Sequence, residues 1–195
     1  MASQTVYVNR KRYAVGLFWQ PVSAGFNARN YARSLSRNVD KKLNLYTEYR
    51  SMIGLAACKN GARPGMRVAA AAVMGSFSEY TSFLAVFAVD KKFYLVAARN
   101  GIILDDRIVD SEDAARSEYV KLSEIPDWGA FFAPGTWGMP RAAERNLADI
   151  LDGHNNTTLH SISRFGAGIV SLILVGAFVL GLGLIFRDSI IQAMS

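Results

Sequence analysis

Residues 82–109 decide the fold: SFLAVFAV (82–89), KFYLVAA (92–98) and GIILDDRIV (101–109) follow one another with only short joints between them. Each run is rich in β-branched and aromatic residues. The first joint is Asp90-Lys91, a charged tip. The second contains Asn100-Gly101, the dipeptide that most readily takes the positive φ angles of a two-residue hairpin turn. The expectation is an antiparallel meander. Its apolar runs are nearly continuous, so it should be covered on both faces. Downstream, Asp110 is placed to cap a helix reaching about Glu124, with Glu112 and Asp113 at the positive end of its dipole. Asp105 and Asp106 read as strand-end carboxylates facing water. With Asp110, Glu112 and Asp113 they do not form a metal site, because no further ligand is spaced to complete one.

Upstream, residues 5–8 and 13–18 alternate in the manner of strands and predict a hairpin whose turn is 9–12. Pro21 and Gly25 end that pattern, and Asn27 can cap a helix to about Arg37. Ala28, Tyr31, Ala32 and Leu35 form its apolar face. Arg29, Arg33 and Arg37, at i, i+4 and i+8, form a basic stripe. Residues 43–49 read as a strand, with 53–57 continuing or pairing with it. Residues 59–65 (KNGARPG) are a loop, and the alanine-rich 66–80 predicts a helix. Residues 125–138 are aromatic and broken by Pro and Gly. Pro140 suits the first position of a last helix, which Gly153 ends. A polar linker, 154–163, carries His154 and His160, the only two histidines of the chain.

After that linker the character changes. Residues 165–186 (FGAGIVSLILVGAFVLGLGLIF) hold no charge and one hydroxyl, Ser171. As a helix, about 22 residues reach about 33 Å, enough to cross a hydrocarbon core of about 30 Å. Arg164 and Arg187 bracket the stretch, each able to reach headgroups. The sequence therefore predicts a cytoplasmic domain (1–153), the linker (154–163), a transmembrane helix (164–187) and a short extracytoplasmic tail (188–195). Almost all Lys and Arg precede the span, and the first twenty residues do not form a signal peptide, so the N-terminus is placed in the cytoplasm and the tail outside. Within the span, Gly166, Ala177 and Gly181 offer small residues for helix–helix packing, hence a homo-oligomer through this helix.

The 195 residues carry a net charge of +6. The basic residues are scattered and no nucleic-acid motif accompanies them, so membrane lipid is the partner that this charge suits, not nucleic acid. Cys58 is the one cysteine, which excludes an internal disulfide and fits a buried apolar thiol in a reducing compartment. No phosphate-binding Gly-rich loop, GxSxG or HExxH occurs, and with both histidines assigned to the linker the domain has no partner for a nucleophile. The reading is a non-enzymatic scaffold without cofactor or metal.

Three stretches carry a resemblance: KRYAVGLFWQ (11–20) with NARNYARSL (27–35), LAVFAVDKKFYLVAARNGIILDDRIVDSEDAARSEY (84–119), and FAPGTWGMP (132–140). In this order, followed by the apolar segment, they resemble the N-terminal region of the PilO-type pilin accessory proteins of type IVb pilus systems. The resemblance implies a bitopic inner-membrane component of the pilus assembly platform. The residues themselves give an α+β cytoplasmic domain with an antiparallel meander and packed helices. The resemblance implies that it is related to the actin-like cytoplasmic parts of assembly proteins in type II secretion and other type IV pili. It also implies docking to the assembly ATPase and to the polytopic platform protein. Family members continue beyond the span, whereas nine residues follow Phe186 here. Candidate contact residues are Arg29, Arg33 and Arg37 on the basic stripe, and Trp128, Phe131, Phe132 and Trp137 in the aromatic loop, for which core burial is the competing reading. An adaptor of a type II or conjugative type IV secretion machine shares these features. A membrane-tethered enzyme is the further class, and it requires a pocket with convergent polar groups.

Overall fold

The computed structural model describes residues 4–23, 25, 27–153 and 157–163. Among them lie twelve strands and four α-helices, an α+β fold rich in antiparallel pairing. The chain opens with β1 (Gln4–Val8), β2 (Lys11–Val15), β3 (Phe18–Pro21) and α1 (Ala28–Val39). Next come β4 (Leu45–Tyr49), β5 (Met52–Ala56), β6 (Arg67–Val68) and α2 (Ala69–Ser76). The meander follows as β7 (Ser82–Val89), β8 (Lys92–Arg99) and β9 (Ile102–Val109), and then α3 (Glu112–Ser123). The remaining elements are β10 (Ala130–Phe132), β11 (Ala142–Ala143), α4 (Leu147–Gly153) and β12 (His160–Ser161).

The strands form three sheets, ordered β1-β2-β6, β11-β10-β7-β8-β9 and β12-β4-β5-β3. The meander pairs antiparallel as expected, with Asn100 (φ 52) and Gly101 (φ 77) both in the left-handed region that its turn requires. Both faces of this sheet are covered. Phe83, Ala85, Phe87, Tyr94 and Val96 meet the main core with α2 and α4, while Leu84, Val86, Leu95 and Ala97 meet Ala115 and Tyr119 of α3. Residues of α2 from Ala69 to Met74 are all buried, which is where a helix apolar all round must go. A third cluster joins Ala32 of α1 to Ile53, Leu55 and Ile162 on the outer face of the four-stranded sheet. Asn27 caps α1, its Oδ1 accepting from the Asn30 N–H at 3.0 Å.

Several expectations are corrected. The stretch 13–18 is not one strand: the chain leaves the first sheet at Gly16 (φ 71) and enters the four-stranded sheet at Phe18. The preceding turn is only Asn9-Arg10 (φ 47 and 60). Helix α3 is capped by Ser111, whose Oγ accepts from Ala114 N–H, while Asp110 pairs with Lys92 on the surface. The helix expected over 66–80 is shortened to α2, because Arg67 and Val68 pair in parallel with Tyr13 and Ala14. The last helix starts at Leu147 rather than Pro140, since Ala142 and Ala143 are taken up by pairing with Phe131 and Phe132. Cys58 is exposed rather than buried.

The expected linker is also part of the fold in its described portion, 157–163. His160 and Ser161 pair with Tyr46 and Leu45, Leu159 is fully buried, and Thr158 accepts from the Thr47 hydroxyl at 2.9 Å. The backbone satisfies its polar groups by joining a sheet edge. The compact unit therefore ends at Ile162. His154, the transmembrane helix expected over 164–187 and the tail 188–195 lie outside the described residues, and among the described residues no helix is long and apolar enough to cross a membrane.

The carboxylate pair 105–106 departs furthest from its expected role. The β8–β9 register shifts between Ala97 and Ala98, so that Asp105 opposes Ala97, Ile103 opposes Ala98 and Leu104 is the extra residue. The shift reverses the phase of β9 and turns Asp106 inward, where it is 4 % exposed. Its Oδ1 accepts from Gly16 N–H at 2.9 Å and Tyr94 O–H at 2.9 Å. Its Oδ2 accepts from Leu17 N–H at 3.0 Å and Trp19 Nε1–H at 2.8 Å. Burial raises the carboxyl above its ordinary pKa and these four donors pull it back. Tyr94 is held well above its ordinary value by burial and by the charge of Asp106.

Two outcomes test this frame in urea unfolding of the unit 1–162. Asp106→Asn puts an amide donor where two donors already point, and should cost about 3 kcal/mol. Gly54→Ala brings a methyl to 2.9 Å from Leu17 Cδ2 and 2.9 Å from Trp19 Cζ3. That overpacking should cost about 1–3 kcal/mol.

Candidate functional site

Helix α1 lies on the outer face of the four-stranded sheet because Ala28, Tyr31, Ala32 and Leu35 pack there, the face read from their spacing. The stripe residues are thereby turned away from that core. Arg29 and Arg33 are half-buried and Arg37 is exposed. Arg33 Nη2 donates to the Ile162 carbonyl at 3.2 Å, so the middle of the stripe stands at the residue where the compact unit ends. Lys41 and Lys42, both exposed, extend the positive surface beyond the helix. Asp40 is the single carboxylate over 28–42, and its Oδ1 accepts from Lys42 N–H. Among the described residues, none of these five cations is in an ion pair.

The aromatic loop is distributed differently. Trp128 is buried, its Nε1–H donating to the Leu122 carbonyl at 2.8 Å, and Arg99 lies 4.8 Å above its ring. Phe132 is buried and stacks on Phe77 at 4.2 Å. Trp137 is buried against Phe93 and Tyr119, with its Nε1–H donating to Glu112 at 2.8 Å. Both indole N–H groups are satisfied within the fold. Phe131 is half-buried under the guanidinium of Arg141, 5.0 Å from its centroid. The structure thus does not bring the four aromatics together with the arginine stripe, and three of them are core residues. Gly166, Ala177 and Gly181 lie outside the described residues.

Two further concave surfaces were not apparent in the sequence. A groove of about 350 Å³ lies between α3 and the 139–141 turn, lined by Tyr119, Val120, Phe131, Met139 and Arg141. Burial pushes the Tyr119 hydroxyl up to about 12, against the opposing charge of Arg141. No sequence pattern marked this groove; Val120 of α3 is left 42 % exposed beside it. A wider cleft of about 480 Å³ is lined by Glu79, Glu144, Arg145 and Asp149 beside Phe77. Among the described residues, no three His, Cys, Asp or Glu side chains converge as a metal site would require. His160 belongs to β12, where its ring sits 5.6 Å from that of Tyr46.

No curated protein matches this chain. Among solved structures, the cytoplasmic domain of BfpC is similar in fold, with a TM-score of 0.59 at 16 % identity. The match covers 80 % of this chain and 96 % of that one. The family model of the pilin accessory protein (PilO) matches residues 13–186, which takes in the compact unit from the middle of β2 onward and the whole apolar segment. The chain belongs to the PilO family of pilin accessory proteins.

Proposed function

We propose that this protein is a single-pass inner-membrane scaffold of a type IVb pilus assembly platform. Its folded unit lies in the cytoplasm, where it docks the assembly ATPase and the polytopic platform protein. The observation that carries the reading is the extent of the family match, 13–186, which spans folded unit and apolar segment as one arrangement. An accessory role in pilus assembly follows from membership itself. The cytoplasmic placement draws support from the similarity in fold to a solved chain whose title calls it a cytoplasmic domain. The apolar stretch 165–186 has the length and composition to hold the unit at a bilayer. In this mechanism the unit performs no chemistry. It offers a preformed surface, and the membrane segment fixes where that surface stands.

The surface available to a protein partner is narrower than the aromatic content implies. With Trp128, Phe132 and Trp137 in the core, Phe131, Arg141, Val120 and Met139 remain around the groove beside α3. Phe, Met and Arg, among the residues left at the surface here, are enriched at protein interfaces. Our reading places the motor or platform contact there.

Full-length protein purified in detergent should retain the assembly ATPase or the platform protein of its own system in a pull-down at moderate salt. Retention of neither at tens of micromolar would remove the docking role. Core and groove residues separate by phenotype. Trp137→Ala should destabilise the unit by about 3–5 kcal/mol in urea unfolding. Val120→Glu should leave the unfolding midpoint nearly unchanged and weaken partner retention at least tenfold.

A further inference from the structure

We propose that the basic face of α1, with Arg29, Arg33 and Arg37 continued by Lys41 and Lys42, docks on the anionic lipid headgroups of the bilayer entered by residues 165–186. This rests on the reading of that stretch as a membrane span, and it assigns the stripe to lipid rather than to a protein partner.

Chain connectivity supplies the first argument. Arg33 is hydrogen-bonded to the Ile162 carbonyl at 3.2 Å, and Ile162 is anchored by burial in the cluster beneath α1. Only Ser163 and Arg164 separate Ile162 from Phe165, the first residue of the apolar stretch. Three residues reach at most about 10 Å even when fully extended. That reach is comparable to the Debye length at physiological salt, about 8 Å, so Arg33 beside Ile162 stands at about the distance over which a charged headgroup layer is felt.

Charge supplies the second. Over 28–42 five cations face a single carboxylate, Asp40. The other acidic side chain on the α1 side of this sheet is Glu48, exposed on β4 next to Tyr46. Among the described residues neither is ion-paired to any of the five cations. Arg33 spends one N–H on Ile162 and keeps the rest of its fork for phosphate oxygens.

The face also lacks the anchors that a protein partner would need. Protein interfaces centre on desolvated aromatic or aliphatic anchors, whereas a headgroup layer asks only for cations at close range. Outward positions of α1 are Asn30, Ser34, Arg37 and Asn38, and Val39 at its end is the one large apolar side chain of the helix that is exposed. The bond from Arg33 to Ile162 then has a consequence. It ties α1 to the residue at which the compact unit ends.

The test uses the full chain in the Cys58→Ala background, reconstituted into bilayers containing a nickel-chelating lipid. A nitroxide is placed at Ser34→Cys on α1, or at the exposed Ser78→Cys beyond α2 as a remote control. With about 30 % phosphatidylglycerol, relaxation by headgroup-bound nickel should be at least fivefold stronger at position 34 than at 78. It should fall at least threefold when phosphatidylcholine replaces the anionic lipid, or when Arg29→Glu and Arg37→Glu are combined, a pair that leaves the Arg33 bond intact. Equal relaxation at the two positions, or a position-34 signal indifferent to lipid charge and to these reversals, overturns the proposal while the span stands. A position-34 label silent toward lipid but shielded when the assembly ATPase is added overturns it in favour of an acidic protein partner. Release of the chain by alkaline carbonate overturns the span reading itself, and the proposal with it.

Discussion

One buried carboxylate holds the three sheets in their relation. Asp106 belongs to the five-stranded sheet, Trp19 to the four-stranded one, and Gly16 and Leu17 to the crossing between β2 and β3. Burying an unpaired carboxylate costs several kcal/mol, so the arrangement is tolerable only with full satisfaction of its lone pairs. Four donors within 3.0 Å provide it. In return the crossing at Gly16 is fixed by two backbone N–H groups that no strand could have paired. From that fixed point β3 pairs with β5, β5 with β4, and β4 with β12. The position of Ile162 descends from the same anchor.

A second constraint is the depth of the core. Helix α2 is buried along six consecutive residues, four of them alanine, which lets it lie close between the meander and the β1-β2-β6 sheet. The meander is then sealed on its other face by α3 and by Trp128 and Trp137. What remains for function is peripheral: the groove beside α3, and α1 on the outer face of the four-stranded sheet. These surfaces differ in chemistry. The groove is apolar with one guanidinium over a ring, and α1 presents cations among small polar residues. In the proposed role, the groove serves a protein partner and α1 the lipid.

The local elements were legible because local chemistry decides them. Asn100-Gly101 specifies its turn by φ alone, Asn27 caps α1 by its own side chain, and the alternation of 82–89 and 92–98 sorts those strands into two buried faces. Ser111 was missed in favour of Asp110 because both are good caps and only the helix phase separates them. The short strands β6, β11 and β12 were missed for a different reason. Each has two residues, too few for any periodicity, and each exists only because a distant edge accepts it.

Of the candidate site, the stripe Arg29, Arg33 and Arg37 could be drawn on a helical wheel, but its neighbour Ile162 lies 129 residues away in the chain. The burial of Trp137 likewise depended on Phe93 and Glu112, which no local pattern places beside it. Composition and periodicity alone determined the α+β class, the meander, the amphipathic face of α1 and the apolar stretch 165–186, because each is a property of residues within a few positions of one another. Only the tertiary structure decided that Asp106 faces inward. A one-residue bulge reverses the side-chain phase of β9, and nothing within β9 itself records the four donors that await it.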